Sequence, residues 1–123
     1  MDQAGPHETV AIGLNEKGKR DAVPKAKVRN FKPRLIGNRL ELSSFCIDEL
    51  SDLDIWVLLD QHLDKPAIGR ADLGTVVFAD VGLNHVPDWD PERHINILGW
   101  PADEEVQASI AQSLYNKQVY NNR

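Results

Sequence analysis

A chain of 123 residues and 13.8 kDa has room for one domain of ordinary size, and its 41% hydrophobic and 27% charged residues exclude a collagen-like or wholly disordered polymer. The net charge of −5 conceals a division: residues 1–39 carry nine Lys/Arg against four Asp/Glu, and residues 40–123 carry five against fifteen. A basic segment therefore precedes an acidic body. The longest apolar runs, such as Ile55–Leu59, fall far short of the ~20 residues of a membrane-spanning helix, which excludes a membrane partner of that kind. The first residues, Met1-Asp2-Gln3-Ala4-Gly5-Pro6-His7-Glu8, lack the basic-then-apolar order of a secretory leader, so a cytoplasmic location is expected. Cys46 is the single cysteine, which forbids an internal disulfide and a multi-cysteine zinc site.

Residues 1–27, with Gly5, Pro6, Gly13, Gly18 and Pro24 around the run Glu16-Lys17-Gly18-Lys19-Arg20-Asp21, read as a largely flexible basic arm in which only Thr9-Val10-Ala11-Ile12 can form a short strand. Lys25, Lys27 and Arg29 alternate with Ala26 and Val28, as in an extended segment. Phe31-Lys32-Pro33-Arg34 breaks it, and Gly37-Asn38 makes a turn. Arg39–Ile47 is a strand with Leu40, Leu42 and Ser44 on one face and Glu41, Ser43 and Phe45 on the other. Ser51 caps a helix running to about Leu63, with Leu53, Trp56 and Val57 on its apolar stripe and Ile55, Leu58 and Leu59 widening it.

A short strand over Ala67–Ala71 follows, and Asp72 is expected to cap a second helix that ends at Gly82, with a strand through the β-branched Thr75-Val76-Val77 as the competing reading. Val86 lies in a brief extended stretch, and Pro87-Asp88-Trp89-Asp90-Pro91 is a loop. His94–Leu98 is a strand with Ile95 and Ile97 facing one way and His94, Asn96 and Leu98 the other. Asp103 or Ala102 opens a last helix to about Gln118, with Val106, Ile110 and Leu114 on its stripe. The expected fold is a single small α/β or α+β domain over residues 28–123, a short mixed sheet with about three helices.

The segment Asp88–Pro101 packs three carboxylates, Arg93, His94, Asn96, Trp89 and Trp100 into fourteen residues. Arg93, Trp100 and Trp89 are the candidate binding residues of an accessory module. Alternatively, His94 is a general acid/base, Arg93 a phosphate or oxyanion clamp and Asn96 a positioning donor in a metal-independent nuclease or phosphoryl-transfer enzyme. His85, Asp88, Asp90 and His94 do not have the spacing of an established metal motif, and no nucleotide-binding glycine loop or Gly-x-Ser-x-Gly occurs, so neither a metal nor a cofactor is expected. The eight cations between Lys17 and Arg34, with Phe31 among them, can follow a nucleic-acid backbone. They can equally fold back on the acidic body, or serve self-association or an unidentified protein partner.

The stretch Pro91-Glu92-Arg93-His94-Ile95-Asn96-Ile97-Leu98-Gly99-Trp100-Pro101 resembles one shared by a group of small bacterial proteins of unassigned function, with the pattern Pro-x-Arg-His-x-Asn-Ile-x-Gly-Trp-Pro. The similarity extends from about Lys27 over Leu40–Phe45, Asp54-Ile55-Trp56, Arg70–Leu73 and the final helix. It implies that Arg93, His94, Asn96, Gly99 and Trp100 form one signature, and it matches the arm least.

Overall fold

The alternation in Arg39–Cys46 folds as expected: this strand (β3) buries Leu42, Ser44 and Cys46 and turns Ser43 and Phe45 to the opposite face. In a computed structural model that describes residues 9–21, 23 and 25–123, β3 pairs with β6 (His94–Leu98) along one edge and with β1 (Thr9–Leu14) along the other. The strand order is β5 (Asn84–Pro87), β6, β3, β1, β4 (Gly69–Gly74), β7 (Val119–Asn122), with β2 (Arg34–Ile36) also on β3. Every pairing among these seven strands is antiparallel, so the expected single domain takes the α+β form. The turn at Gly37-Asn38 joins β2 to β3, and Gly37 adopts φ +65°, which a residue without a Cβ reaches at no steric cost.

Among the described residues three α-helices cover the two faces. The first, α1 (Asp52–His62), begins where Ser51 Oγ accepts from the Asp54 amide at 3.2 Å. Its buried stripe is Ile55, Leu58 and Leu59, whereas Leu53 and Val57, expected in that stripe, face solvent. Ile55 and Leu59 pack on Ala11, Ile47 and Ala67. Gly13 of β1 lies beneath Leu59 and Leu63, where a Cβ would come within 3.1 Å of Leu63 Cδ1. The opposite face carries the larger core, built from Val10, Leu14, Leu42, Cys46, Ile95 and Ile97 under α2 (Thr75–Asp80) and α3 (Glu104–Lys117), with Phe78, Ala111 and Leu114 pointing in. Of the two openings the sequence offers, Asp103 caps α3, but Val106 is exposed, and the buried side of this helix starts at Ile110 and Ala111.

Several expectations are corrected. The short strand allowed at Thr9-Val10-Ala11-Ile12 forms but runs on to Leu14, and it is a central strand bonded on both edges, because Val10, Ala11 and Leu14 give both sheet faces something to bury. The rest of the expected arm, residues 1–8 with residues 22 and 24, lies outside the described residues. The alternating segment at Lys25–Arg29 is instead a single bridge, Arg20 to Ala26, followed by a 3₁₀ turn at Val28–Phe31 that buries Phe31. This segment does fold back on the body, through Gln118, Tyr115 and Asn122. Gln118 accepts from the Ala26 amide at 2.7 Å and donates to the Ala26 carbonyl at 3.0 Å, Tyr115 donates to Asp21 at 2.6 Å, and Arg20 donates to Asn122 at 3.0 Å. Asp72 caps no helix. It lies within β4, held extended by Arg70 at 3.1 Å and by Asn121 of β7 at 2.9 Å, and α2 begins at Thr75. Burial pushes the Asp72 carboxyl up despite its Arg70 partner.

Candidate active site on the open half of the sheet

The core packing of α1 is on the β1 side of its sheet face, and it ends at His62, whose ring stacks on Phe45 with centroids 4.5 Å apart. Beyond Phe45 the same face of β3 and β6 carries Ser43, His94 and Asn96, because opposed residues in an antiparallel ladder share a face: Ser43 pairs with Asn96 and Phe45 with His94. His94 reaches diagonally across the ladder, and its Nε2 lies 2.6 Å from Ser43 Oγ. Its other nitrogen, Nδ1, lies 2.7 Å from Asp88 Oδ1. A carboxylate can only accept there, so neutral His94 carries its proton on Nδ1, leaving Nε2 to accept the Ser43 hydroxyl proton. The Ser43 side chain is exposed, while that of His94 is 12% and that of Asp88 37% exposed.

Asp88 is held from several directions. Its Oδ1 also accepts from the Asp90 amide at 3.2 Å, and its Oδ2 accepts from Asn96 Nδ2 at 3.2 Å. The loop that presents it closes on itself: the Trp89 amide donates to the His94 carbonyl at 3.1 Å and the His94 amide to the Pro91 carbonyl at 3.0 Å. Trp89 and Arg93 take φ +55° and +69°, a region that costs an L-residue about 1 kcal/mol or more and persists where surrounding contacts impose it.

Those contacts define what the signature residues do. Arg93 donates through one nitrogen to the carbonyls of Cys46 and Asp48, each at 3.1 Å, and its own carbonyl accepts from the Cys46 amide at 2.8 Å. The guanidinium expected to clamp an anion therefore fastens the loop to the end of β3. Trp100 is 8% exposed, and its indole N–H donates to the Ile97 carbonyl at 3.0 Å. Trp89 is half-buried against the main core. Asn96 is buried and positions Asp88. Cys46 is buried, burial pushes its thiol up, and it donates to Asp48 at 3.3 Å, as befits a core thiol. Among the described residues no group of three His, Cys, Asp or Glu side chains could hold a metal ion, and none of the helices is long and apolar enough to cross a membrane.

A cavity of about 460 Å³ opens beside Ser43, lined also by Phe45, Lys19, Arg29, Lys32 and Arg34. Ser43 thus has His94 on one side and an open volume on the other. Two members of this arrangement, Ser43 and Asp88, carried no role in the sequence motif. Asp88 lies six residues before His94 across a loop and Ser43 fifty-one residues before it on another strand. Only the register of β3 against β6 joins them. Comparisons with protein-family models, curated proteins and solved structures find no match, so what the site does is argued from its geometry.

The chain from carboxylate to imidazole to hydroxyl has the connectivity by which unrelated folds activate a serine: the base removes the hydroxyl proton during attack, and the carboxylate fixes its tautomer and stabilises the imidazolium.

Proposed function

We propose that the protein hydrolyses an ester with Ser43 as nucleophile, His94 as general base, Asp88 as the group that orients and stabilises His94, and Asn96 as the donor that positions Asp88. The observation that carries this reading is the unbroken hydrogen-bonded path Asp88–His94–Ser43, which ends in an exposed hydroxyl beside a cavity. In the attack, the Ser43 Oγ bond to the ester centre forms as the Oγ–H proton passes to His94 Nε2, and the alcohol departs as that nitrogen hands the proton to its oxygen. Water then attacks the same centre, its proton passing to the freed Nε2, which returns it to Ser43 Oγ as the Oγ bond breaks. This keeps His94 in the general acid/base role its strand position suggested, and gives it a partner. An accessory module acting through Arg93 and Trp100 is less well supported, because one Arg93 nitrogen and the Trp100 indole N–H are given to backbone carbonyls and the Trp100 ring is buried. We place the activity in the cytoplasm of a bacterium, on the similarity at Pro91–Pro101 and the lone cysteine.

A neutral fluorophosphonate tests the proposal. Attack by Ser43 forms an Oγ–P bond, breaks the P–F bond and releases fluoride, and peptide mass spectrometry should find the adduct on Ser43. Ser44, buried with its hydroxyl given to the Ile95 carbonyl, is the internal control. The rate should fall by about 10²–10⁴ in His94→Ala, the usual worth of a positioned base. A folded His94→Ala variant that reacts as fast as the native chain would sink the proposal, as would labelling elsewhere only.

A further inference from the structure

The cavity beside Ser43 has a charge opposite to that of the body around it. Lys19, Arg29, Lys32 and Arg34 line it, and among the described residues the one carboxylate in its wall, Glu41, is paired with Arg39 at 3.3 Å. Among the described residues no ion pair engages Lys19, Lys32 or Arg34, and Arg29 gives a nitrogen only to the Gly18 carbonyl at 2.7 Å. Four like charges around one concavity repel one another, and low-dielectric walls focus their field on whatever enters. Apolar wall is also present, from Ile36 and Leu63, next to the stacked rings of Phe45 and His62.

We propose that this cavity binds the substrate and that the substrate is a small organic phosphate, its phosphate held by the four cations and its organic part lying on the apolar and aromatic wall. The inference rests on Ser43 as the reacting group and adds the substrate class. A phosphate dianion answers several cations at once, having more charge and more acceptor oxygens than a carboxylate, and guanidinium forks bind its oxygens bidentately. The volume of about 460 Å³ lies in the range of small-molecule sites and suits a ligand the size of a mononucleotide. A long polyanion fits less well. The basic segment does not present its charges as one stripe, since Lys25 lies 5.0 Å over the Tyr115 ring and Arg20 bonds Asn122, whereas Lys19, Arg29, Lys32 and Arg34 line the cavity.

The test titrates the full chain with inorganic phosphate, adenosine 5′-monophosphate, adenosine and a single-stranded oligonucleotide, following backbone amide shifts, and measures fluorophosphonate labelling of Ser43 in the same preparation. The expected result is saturable binding of both phosphates with shifts around Ser43 and Lys32, no binding of adenosine, and displacement of any bound oligonucleotide by the monophosphate. Binding should weaken by about tenfold in each of the Lys32→Gln and Arg34→Gln variants, whose side chains are exposed, and should weaken further as salt screens the site. Equal affinity for adenosine overturns the proposal, as does phosphate binding indifferent to both substitutions. An oligonucleotide that the monophosphate cannot displace overturns it in favour of a nucleic-acid surface. The neutral label separates the two levels: labelled Ser43 without phosphate binding removes the substrate class alone, and phosphate binding with Ser43 inert removes the serine chemistry.

Discussion

Asp88→Asn is the most informative change at the site, because the surroundings of that carboxylate dictate how the amide must sit. Asp88 accepts from His94 Nδ1 and the Asp90 amide at one oxygen and from Asn96 at the other. An amide NH₂ turned toward His94 would face two donors, whereas one turned toward Asn96 faces a side-chain amide that can rotate to offer its oxygen. The substituted residue therefore keeps its oxygen on His94 Nδ1, the tautomer survives, and only the charge is lost. Opposite charges about 4 Å apart are worth about 4 kcal/mol at an effective dielectric of ~20, and about half that where water reaches the pair. With the Asp88 side chain 37% exposed, the lower figure applies, and labelling of Ser43 should slow by about 30-fold, with 10³ as a rough ceiling. A wrong tautomer would cost about 10⁴ instead. Imidazole nitrogen NMR reads the tautomer directly in both proteins. Undiminished labelling in Asp88→Asn, or a native His94 protonated at Nε2, would refute the assignment, since a protonated Nε2 cannot take the serine proton.

Other substitutions probe what supports the site. Gln118→Ala leaves the buried Ala26 amide and carbonyl without their partner, and should cost about 2–3 kcal/mol in urea unfolding while speeding amide exchange at Ala26. Trp100→Ala should destabilise by about 3–5 kcal/mol through the cavity it leaves, with the activity of the folded fraction preserved if the ring serves packing alone. The amide of Ala67, and after it the Arg123 guanidinium, hold the Asp60 carboxyl below its ordinary range. Its stabilising effect is accordingly present above the unfolded-state value and lost as pH falls through the lower folded value. Asp60→Asn should lower stability at neutral pH by no more than about 1 kcal/mol, the side chain being 32% exposed, and the difference between the two proteins should vanish in strong acid.

Elements with both a periodic face and a chemical end signal were legible in the sequence. Ser51 and Asp103 marked the starts of α1 and α3, and the alternation at His94–Leu98 marked β6 to the residue. Asp72 shows the limit of such signals. An acidic residue before an apolar run resembles a cap, but Arg70 two residues earlier on the same strand and Asn121 across the sheet hold it extended, and Asn121 is not visible as a neighbour from local spacing. β1 was obscured by its setting, since glycines and charges on either side of a short apolar run resemble a loop until the strands that flank it are known. β7, after α3, offers only four residues with little apolar pattern and is fixed by pairing with β4. At the site, His94 and Asn96 were legible because they share one strand face. Ser43 was assigned to the correct face of β3, yet nothing local distinguishes it from any exposed strand serine. Its role is a property of register.

That register also joins the two unlike parts of the chain. Asp88, His94 and Ser43 come from the acidic body, and Lys19, Arg29, Lys32 and Arg34 come from the basic segment, which β1 threads through the middle of the sheet so that these cations line the cavity beside Ser43. A truncation of the first 34 residues would remove every one of those cations, but it would also withdraw the strand that bonds β3 on one edge and β4 on the other. Loss of binding in such a variant would report a ruptured sheet. Charge must instead be removed one exposed side chain at a time, at Lys32 and Arg34, where the backbone of β1 and the path from Asp88 to Ser43 stay intact and a change in affinity reports the cation itself.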